Sequence, residues 1–158
     1  YLSGELGASP SRLGLIYMTG AAAGAVFAPR LGRLSDRRGR KRVLFFTLIS
    51  FAIAFALYSL LQNFRQAFPV QALEGASWVA LGATVPALIA DLTPEGERGW
   101  AMGVYERTWS LGWSGGPLLG GFLAETVGFR HTFLFGAALV GLGAVGLRLW
   151  LPSPKVTS

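Results

Sequence analysis

Long uncharged runs alternate with short charged segments along this chain. Four runs, one of them 22 residues long, contain no Asp, Glu, Lys or Arg; they cover residues 13–29, 43–64, 108–124 and 132–147. These runs are too long for strands and show no period-two alternation, so they indicate helices. The pattern predicts five helices, over residues 11–31, 43–62, 68–91, 99–124 and 132–151.

The predicted helices have the length that a bilayer demands, since a crossing takes about 20 mainly apolar residues. Only helices and closed barrels satisfy all their backbone hydrogen bonds in lipid. The sequence therefore predicts an all-α, polytopic membrane protein with five transmembrane helices, in one partial domain over residues 1–158. Because the first residue is Tyr1 and not methionine, we expect the chain to be a fragment.

The composition supports a membrane protein and argues against other classes. Hydrophobic residues make up 52% of the chain and charged residues 14%, whereas a soluble domain carries about 25% charged residues. The net charge of +6 does not indicate a nucleic-acid partner, because the basic residues are clustered and do not follow a solvated face. We find no cysteine, no ATP-binding loop and no metal-ligand cluster in the sequence, so we expect neither a cofactor nor an enzyme.

Basic residues are divided unevenly between the two ends of the predicted helices. Ten Lys and Arg lie on one side: seven within residues 30–42, together with Arg98, Arg148 and Lys155. Three lie on the other side, namely Arg12, Arg65 and Arg130. Cytoplasmic loops of membrane proteins carry the excess of Lys and Arg. The sequence therefore predicts a multi-pass protein of the cell membrane, with its N-terminus outside and its C-terminus in the cytoplasm.

A basic loop over residues 32–42 contains a single acid, within the stretch "GRLSDRRGRKRVL". Its Arg and Lys residues suit a cytoplasmic loop that binds anionic headgroups. Asp36 needs a different account, because a carboxylate among arginines favours a charge-assisted pair or the positive N-terminus of a neighbouring helix. Gly32 and Gly39 would permit tight loop geometry.

This stretch resembles the signature loop of the major facilitator superfamily, written G-x-L-x-D-x-x-G-R-[KR]-x-x-L, with no failed position. The resemblance implies that the loop is a conformational switch and that Asp36 helps to lock the two halves of a transporter together. The residues concerned are Gly32, Leu34, Asp36, Arg37, Gly39, Arg40 and Lys41.

A second motif, "GVYERTWSLGWSGGPLLGG", covers residues 103–121. Three of its glycines recur every four residues, so they line one helix face and permit another helix to approach closely, while its proline can kink the helix. The pattern resembles the fifth-helix signature of proton-coupled antiporters in the same superfamily; a plain glycine-packed helix pair is the alternative. Its members are Gly103, Gly112, Gly116, Pro117, Gly120 and Gly121.

Three ionisable residues, Glu74, Glu106 and Arg107, lie inside the predicted helices. Placing a charged side chain at that depth in the bilayer costs free energy, so each of these residues is a candidate for a functional role. Glu74 would either face a central cavity, as a proton carrier or cation ligand, or extend to the outer interface. Glu106 and Arg107 are adjacent, so they point about 100° apart and cannot both face one cavity.

The third predicted helix departs from the family pattern. The superfamily often has R-x-x-Q-G in its fourth helix, and the corresponding frame here is "QALEG". Gln71 stands in place of the arginine and Glu74 in place of the glutamine. This difference places proton coupling through that arginine in doubt.

Taken together, the motifs resemble five consecutive helices of a major facilitator transporter, whose complete members have two six-helix halves. The complete Gly-Pro pattern favours helices two to six, which we prefer; Gln71 and the end of the apolar run after Trp150 favour helices eight to twelve. The resemblance implies secondary, proton-coupled antiport of a small organic molecule out of the cell. The alternatives are a non-transporting membrane scaffold and an importer of a sugar or metabolite. Expected partners are the lipid bilayer, the substrate, protons and the remaining helices of the parent chain.

Overall fold

The computed structural model describes residues 1–151, and within them the chain forms five α-helices and no strand. The all-α prediction is therefore confirmed. Two 3-10 turns, Phe64–Gln66 and Glu95–Glu97, precede the third and fourth helices. Residue Lys155 and the rest of the predicted domain after residue 151 lie outside the described residues. The helices are α1 (Pro10–Arg38), α2 (Arg40–Leu60), α3 (Ala67–Leu92), α4 (Arg98–Val127) and α5 (Phe129–Trp150).

The basic segment 32–42, expected to be a loop, is helical except at one residue. α1 continues through it to Arg38 and α2 begins at Arg40, so Gly39 alone connects the two helices. Arginine, lysine and leucine are good helix formers, and Arg37 and Arg38 suit the negative end of the α1 dipole. Gly39 has a φ of 90°, a backbone conformation that glycine adopts without steric cost. The charge of the segment indicated a loop, but its helix propensity decides the structure.

Three of the five helical segments are long and apolar enough to cross a bilayer: Arg40–Leu60, Phe64–Leu92 and Phe129–Trp150. α1 and α4 are less apolar than these three segments, although all five predicted helices are present within residues 1–151. α1 ends in the cluster of arginines, and α4 carries Glu106 and Arg107 in its interior. Large apolar side chains nevertheless lie exposed on both helices, as on the other three, which is the surface that lipid requires.

The closest helix packing joins α1 to α3 through glycine. Gly20 and Gly24 of α1 face Gln71, Gly75 and Val79 of α3. A Cβ placed on Gly75 would overlap the backbone of Gly20, and one on Gly24 would lie 2.8 Å from Val79 Cγ2. Small residues let helix backbones approach in this way in membranes. The Gly20–Gly24 repeat therefore packs one helix directly on another.

A cluster of buried residues lies toward the end of the bundle opposite to Gly39. It contains Ile16 of α1, residues of α2 and its C-terminal end, and residues of α3. The N-terminal segment closes this end, since Tyr1 donates a hydrogen bond to the Leu61 carbonyl at 3.3 Å and its ring lies 5.4 Å from that of Phe133. The core members are Ile16, Ala54, Tyr58, Leu61, Ala67 and Val70.

α4 is the least covered helix. It packs mainly along α5 and touches α3 only locally, and no residue of Arg98–Val127 is buried within the described chain. Its main lateral contact to α3 is aromatic, because the rings of Trp78 and Trp109 lie edge to face with centroids 5.5 Å apart. One face of α4 therefore has no neighbour in this part of the protein.

Candidate functional site

The signature residues at the Gly39 end form an ion-pair network that connects three helices. Arg40, the first residue of α2, reaches Asp91 in the last turn of α3 at 3.1 Å and Asp36 in α1 at 3.6 Å. The same guanidinium donates a hydrogen bond to the carbonyl of Ala87. The planar fork of arginine suits such shared contacts. Because Gly39 ends α1 and starts α2 at once, it places Arg40 between the two carboxylates.

The side chains of this network differ in exposure, and the difference indicates two separate roles. The Asp36 side chain is 68% exposed, whereas the side chains of Asp91 and Arg40 are 39% and 27% exposed. An exposed pair contributes at most about 1 kcal/mol, so the Asp36–Arg40 pair is weak. Asp36 retains most of its surface for a further partner, while Asp91 and Arg40 connect α2 to α3.

The other signature residues take separate places. Lys41 donates to the carbonyls of Arg148, at 3.3 Å, and of Leu151, so it caps the C-terminal end of α5, where a cation is favourable. Arg37 is exposed, and Leu34 is 37% exposed. Gly32 has open space around its Cα. The network therefore brings together Asp36 and Arg40 of the predicted set, but not the whole set.

The Gly-Pro motif lies in the middle and second half of α4, which continues unbroken through Pro117. The sequence predicted that its glycines admit a closely packed helix. Within the described residues, no heavy atom would lie within 4 Å of a Cβ on any of them, because α4 has neighbours only on other sides. These glycines are Gly103, Gly112, Gly116, Gly120 and Gly121.

Gln71 and Glu74 meet at a tyrosine inside the helical bundle. Tyr58 Oη of α2 lies 2.6 Å from Gln71 Oε1 and 2.8 Å from Glu74 Oε2. The indole Nε1 of Trp78 lies 3.4 Å from the other carboxylate oxygen of Glu74. Hydrogen bonding of this kind reduces the cost of placing a polar group among apolar helices. We refer to Tyr58, Gln71, Glu74 and Trp78 as the polar cluster.

The polar cluster responds to the charge of Glu74. The Tyr58 hydroxyl has one proton and can donate it to one acceptor at a time. When Glu74 is a carboxylate, Tyr58 can donate to it. When Glu74 is protonated, it can donate to Tyr58, whose proton is then available to Gln71. The arrangement thus accepts either form of Glu74 without leaving the hydroxyl unpartnered.

The remaining intramembrane candidates stand apart from both groups. Glu106 and Arg107 are exposed on α4, and among residues 1–151 their side chains form no ion pair. No ion pair in this part of the protein joins them to Glu74 or to the Arg40 network. The described residues also contain no group of acidic or histidine side chains that could hold a metal ion.

Sequence reasoning did not identify Asp91 and Tyr58 as members of these sites. Asp91 had a visible signal, because it is a lone carboxylate at the end of an apolar run. Tyr58 is the only tyrosine of the apolar α2. What the sequence lacked was the pairing of helices that brings Asp91 to Arg40 and Tyr58 to Glu74.

Comparison with known proteins identifies the family of the chain. The sequence profile described as the Major Facilitator Superfamily matches residues 1–158. The chain is 40% identical over 119 residues to a "Multidrug resistance protein MdtG" from Dickeya zeae (strain Ech586), which covers 73% of this chain and 28% of that protein. It is 40% identical over 119 residues to the protein of that name from Proteus mirabilis (strain HI4320), covering 73% of this chain and 29% of that protein.

A relative from Yersinia enterocolitica, also named "Multidrug resistance protein MdtG", is 35% identical over 130 residues. The match covers 80% of this chain and 30% of that protein. The chain therefore spans about three tenths of the length of the curated relatives that it matches.

Proposed function

The chain belongs to the major facilitator superfamily, and from that premise we propose that it is part of a secondary transporter that exports small organic molecules in exchange for protons. The observation that carries the proposal is its 40% identity to proteins named for multidrug resistance. Such transporters hold their substrate near the membrane midplane, between two repeats. These five helices would supply part of one repeat, and the rest of the parent chain would complete the path.

The polar cluster supports proton coupling. Glu74 is an acid inside an apolar helix, and an ionisable group at that depth marks an ion or proton path by default. Its partners Tyr58 and Gln71 accommodate both the charged and the neutral carboxyl. This cluster would carry the proton without the arginine that Gln71 replaces. Glu74 would then take up a proton on one side of the membrane and release it on the other.

The Arg40 network supports a second role, as a latch between states. Arg40 connects α2 to Asp91 of α3, while Asp36 remains largely exposed. An exposed carboxylate at a helix end suits a pair with the positive N-terminus of a helix from the missing half. The latch would close in one state of the transport cycle and open in the other.

The glycine face of α4 supports the presence of further helices. Glycines every four residues permit close approach, and no described residue occupies that face. We propose that a helix of the parent chain packs there. The complete Gly-Pro pattern favours helices two to six of the parent, against helices eight to twelve.

The orientation that we propose in the membrane follows from the distribution of basic residues. Arg98 at the start of α4 and Arg148 at the end of α5 lie at the same end as the basic segment 32–42. Excess Lys and Arg indicate the cytoplasmic side. We therefore propose an N-terminus outside the cell and a C-terminus in the cytoplasm.

A transport assay on the full-length parent tests the proposal. Inside-out vesicles from cells that express it should accumulate a fluorescent lipophilic cation when the lumen is made acidic, so that the proton gradient is directed outward, and should release protons in return. Glu74→Gln should abolish the proton-driven accumulation, and Glu125→Gln, an exposed acid in the last turns of α4, should leave it unchanged.

Other outcomes would contradict the proposal in distinct ways. Accumulation without proton movement would remove proton coupling and keep transport. Movement in the opposite direction would indicate an importer. A protein that inserts normally and moves neither cation nor proton would favour a membrane scaffold.

A further inference from the structure

A groove of about 640 Å³ lies between α1 and α2, with α3 as its floor. Each helix contributes one stripe of residues. α1 supplies positions three or four residues apart, and α3 supplies mainly small side chains, so the groove is narrow-walled with a shallow, apolar floor. Its walls include Phe27, Leu31, Leu34, Val43 and Phe46, and its floor Ala72, Leu73, Ala76, Ser77 and Ala80.

The polar groups deep in the groove are already satisfied by the protein. Ser77 Oγ of α3 lies 2.8 Å from Ser50 Oγ of α2 and donates to the Leu73 carbonyl. Thr47 donates to the Val43 carbonyl at 2.9 Å. The interior therefore offers an occupant an apolar surface, while Phe27 and Phe46 remain 45% and 58% exposed.

Positive charge is concentrated at one end of the groove. Arg38 of α1 and Arg42 of α2 line it there, and within residues 1–151 neither forms an ion pair. Their neighbours in sequence are engaged elsewhere, since Arg40 pairs with Asp91 and Lys41 caps α5. Of the six basic residues in the segment, Arg40 and Lys41 thus hold the bundle together, and Arg38 and Arg42 line the groove.

The groove is separate from the polar cluster. Ala72 and Ala76 share one stripe of α3, and Glu74 lies two residues from each, about 200° around the helix. No residue of the polar cluster lines the groove, although Ser77, one turn from Glu74 on α3, does. Arg42 and Ser50 are eight residues apart on α2, so the lined length is about 12 Å.

We propose that this groove binds an anionic glycerophospholipid of the leaflet at the Gly39 end. One acyl chain would lie along the small residues of α3, and the phosphate would contact Arg38 and Arg42. The apolar groove complements the acyl chain of such a molecule, and the two free cations at its mouth complement the phosphate. Attraction of about 1 kcal/mol per Arg near an anionic headgroup supplies the preference for negative lipid. This inference rests on membrane insertion and does not depend on what the parent transports.

The test is lipid titration of the full-length protein in detergent, followed by native mass spectrometry. Phosphatidylglycerol should bind more tightly than phosphatidylcholine of the same acyl chains. Arg38→Gln and Arg42→Gln should each weaken phosphatidylglycerol binding about fivefold, the equivalent of about 1 kcal/mol. Arg37→Gln removes the same charge one residue away, outside the groove, and should have no such effect.

A second pair of variants tests the acyl-chain position. Ala76→Leu fills the floor and should weaken binding, whereas Ala83→Leu, exposed on α3 and outside the groove, should not. Equal losses for Arg37→Gln and Arg42→Gln would reveal a diffuse basic surface and overturn the site. Unchanged binding by Ala76→Leu would also overturn it. So would an Ala76→Cys variant that crosslinks to another helix of the same protein, because the groove would then hold protein and not lipid.

Discussion

Arg40 lies 3.1 Å from Asp91, so the first residue of α2 is fastened to the last turn of α3. The same guanidinium also faces Asp36, at the longer distance of 3.6 Å. One cation therefore serves two carboxylates on two other helices, and the nearer one is the more buried. Without the Asp91 carboxylate, Arg40 should pair only with Asp36. Without the Asp36 carboxylate, the ion pair that connects α2 to α3 should remain.

Asp91→Asn should lower transport by the full-length parent by up to about fivefold, because about 1 kcal/mol of bias between two states changes their ratio by that factor. Expression and insertion should change little, since a part-exposed pair contributes at most about 1 kcal/mol. Vesicle uptake of the fluorescent cation measures the effect. Glu95→Gln is the matched control, as Glu95 is an acid at the same end that pairs with Arg98. A comparable loss with Glu95→Gln would mean that general charge at this end is responsible.

Asp36→Asn should impair transport severely while leaving expression and thermal stability intact. The side chain is 68% exposed, so its removal leaves no buried group without a partner. Asp36→Glu, which keeps the charge, should retain part of the activity. Normal transport by the asparagine variant would remove Asp36 from the proposed latch.

Gly75→Ala should destabilise the protein by about 1–3 kcal/mol or more, because the new methyl group meets the backbone of Gly20 and overpacking costs that much. Thermal unfolding in detergent measures it. Gly82→Ala on the same helix is the control: no atom lies within 4 Å of its new Cβ, and alanine is the better helix former by about 1 kcal/mol. Equal melting temperatures for the two variants would show that α1 and α3 do not touch there.

Tyr58→Phe should reduce proton-driven transport and lower stability by about 1–3 kcal/mol, the cost of leaving a buried polar partner unsatisfied. The phenyl ring keeps the stacking on Phe133, whose centroid lies 5.3 Å away, so the variant isolates the hydroxyl. Transport and thermal unfolding should be measured together. Tyr105→Phe on α4 removes a hydroxyl that makes no hydrogen bond to residues 1–151 and should be neutral. If both variants behave alike, the hydroxyl of Tyr58 has no special role.

The helices were predictable because their signal is local. Uncharged runs bounded by charge locate α2 and α5 within a few residues, and the signature at Asp36 and Arg40 indicates the family. The joint at Gly39 was less visible, because a dense basic segment suggests a loop although its residues favour a helix. Hydropathy alone therefore overestimated the length of the loop.

The contacts between helices were not predictable, because they depend on which faces meet. Gly20 and Gly24 have the spacing of small residues that admit a neighbouring helix, but nothing in that spacing identifies Gly75 as the contact. Similarly, Glu74 indicated an intramembrane role without indicating that Tyr58, sixteen residues earlier, provides its hydrogen bond. Glu106 is also an ionisable residue inside a predicted helix, but its side chain has no partner among the described residues.

The single-residue connection at Gly39 has a consequence for deletion and substitution at that position. Deleting Gly39 would join α1 and α2 into one continuous helix, and α2 could then no longer turn back along the bundle. Arg40 would leave Asp91, Lys41 would leave the end of α5, and Arg42 would leave its stripe in the groove, all at once. The direction of a whole helix is thus fixed at one position, so this junction should tolerate neither the loss of Gly39 nor a side chain there, where φ is 90°.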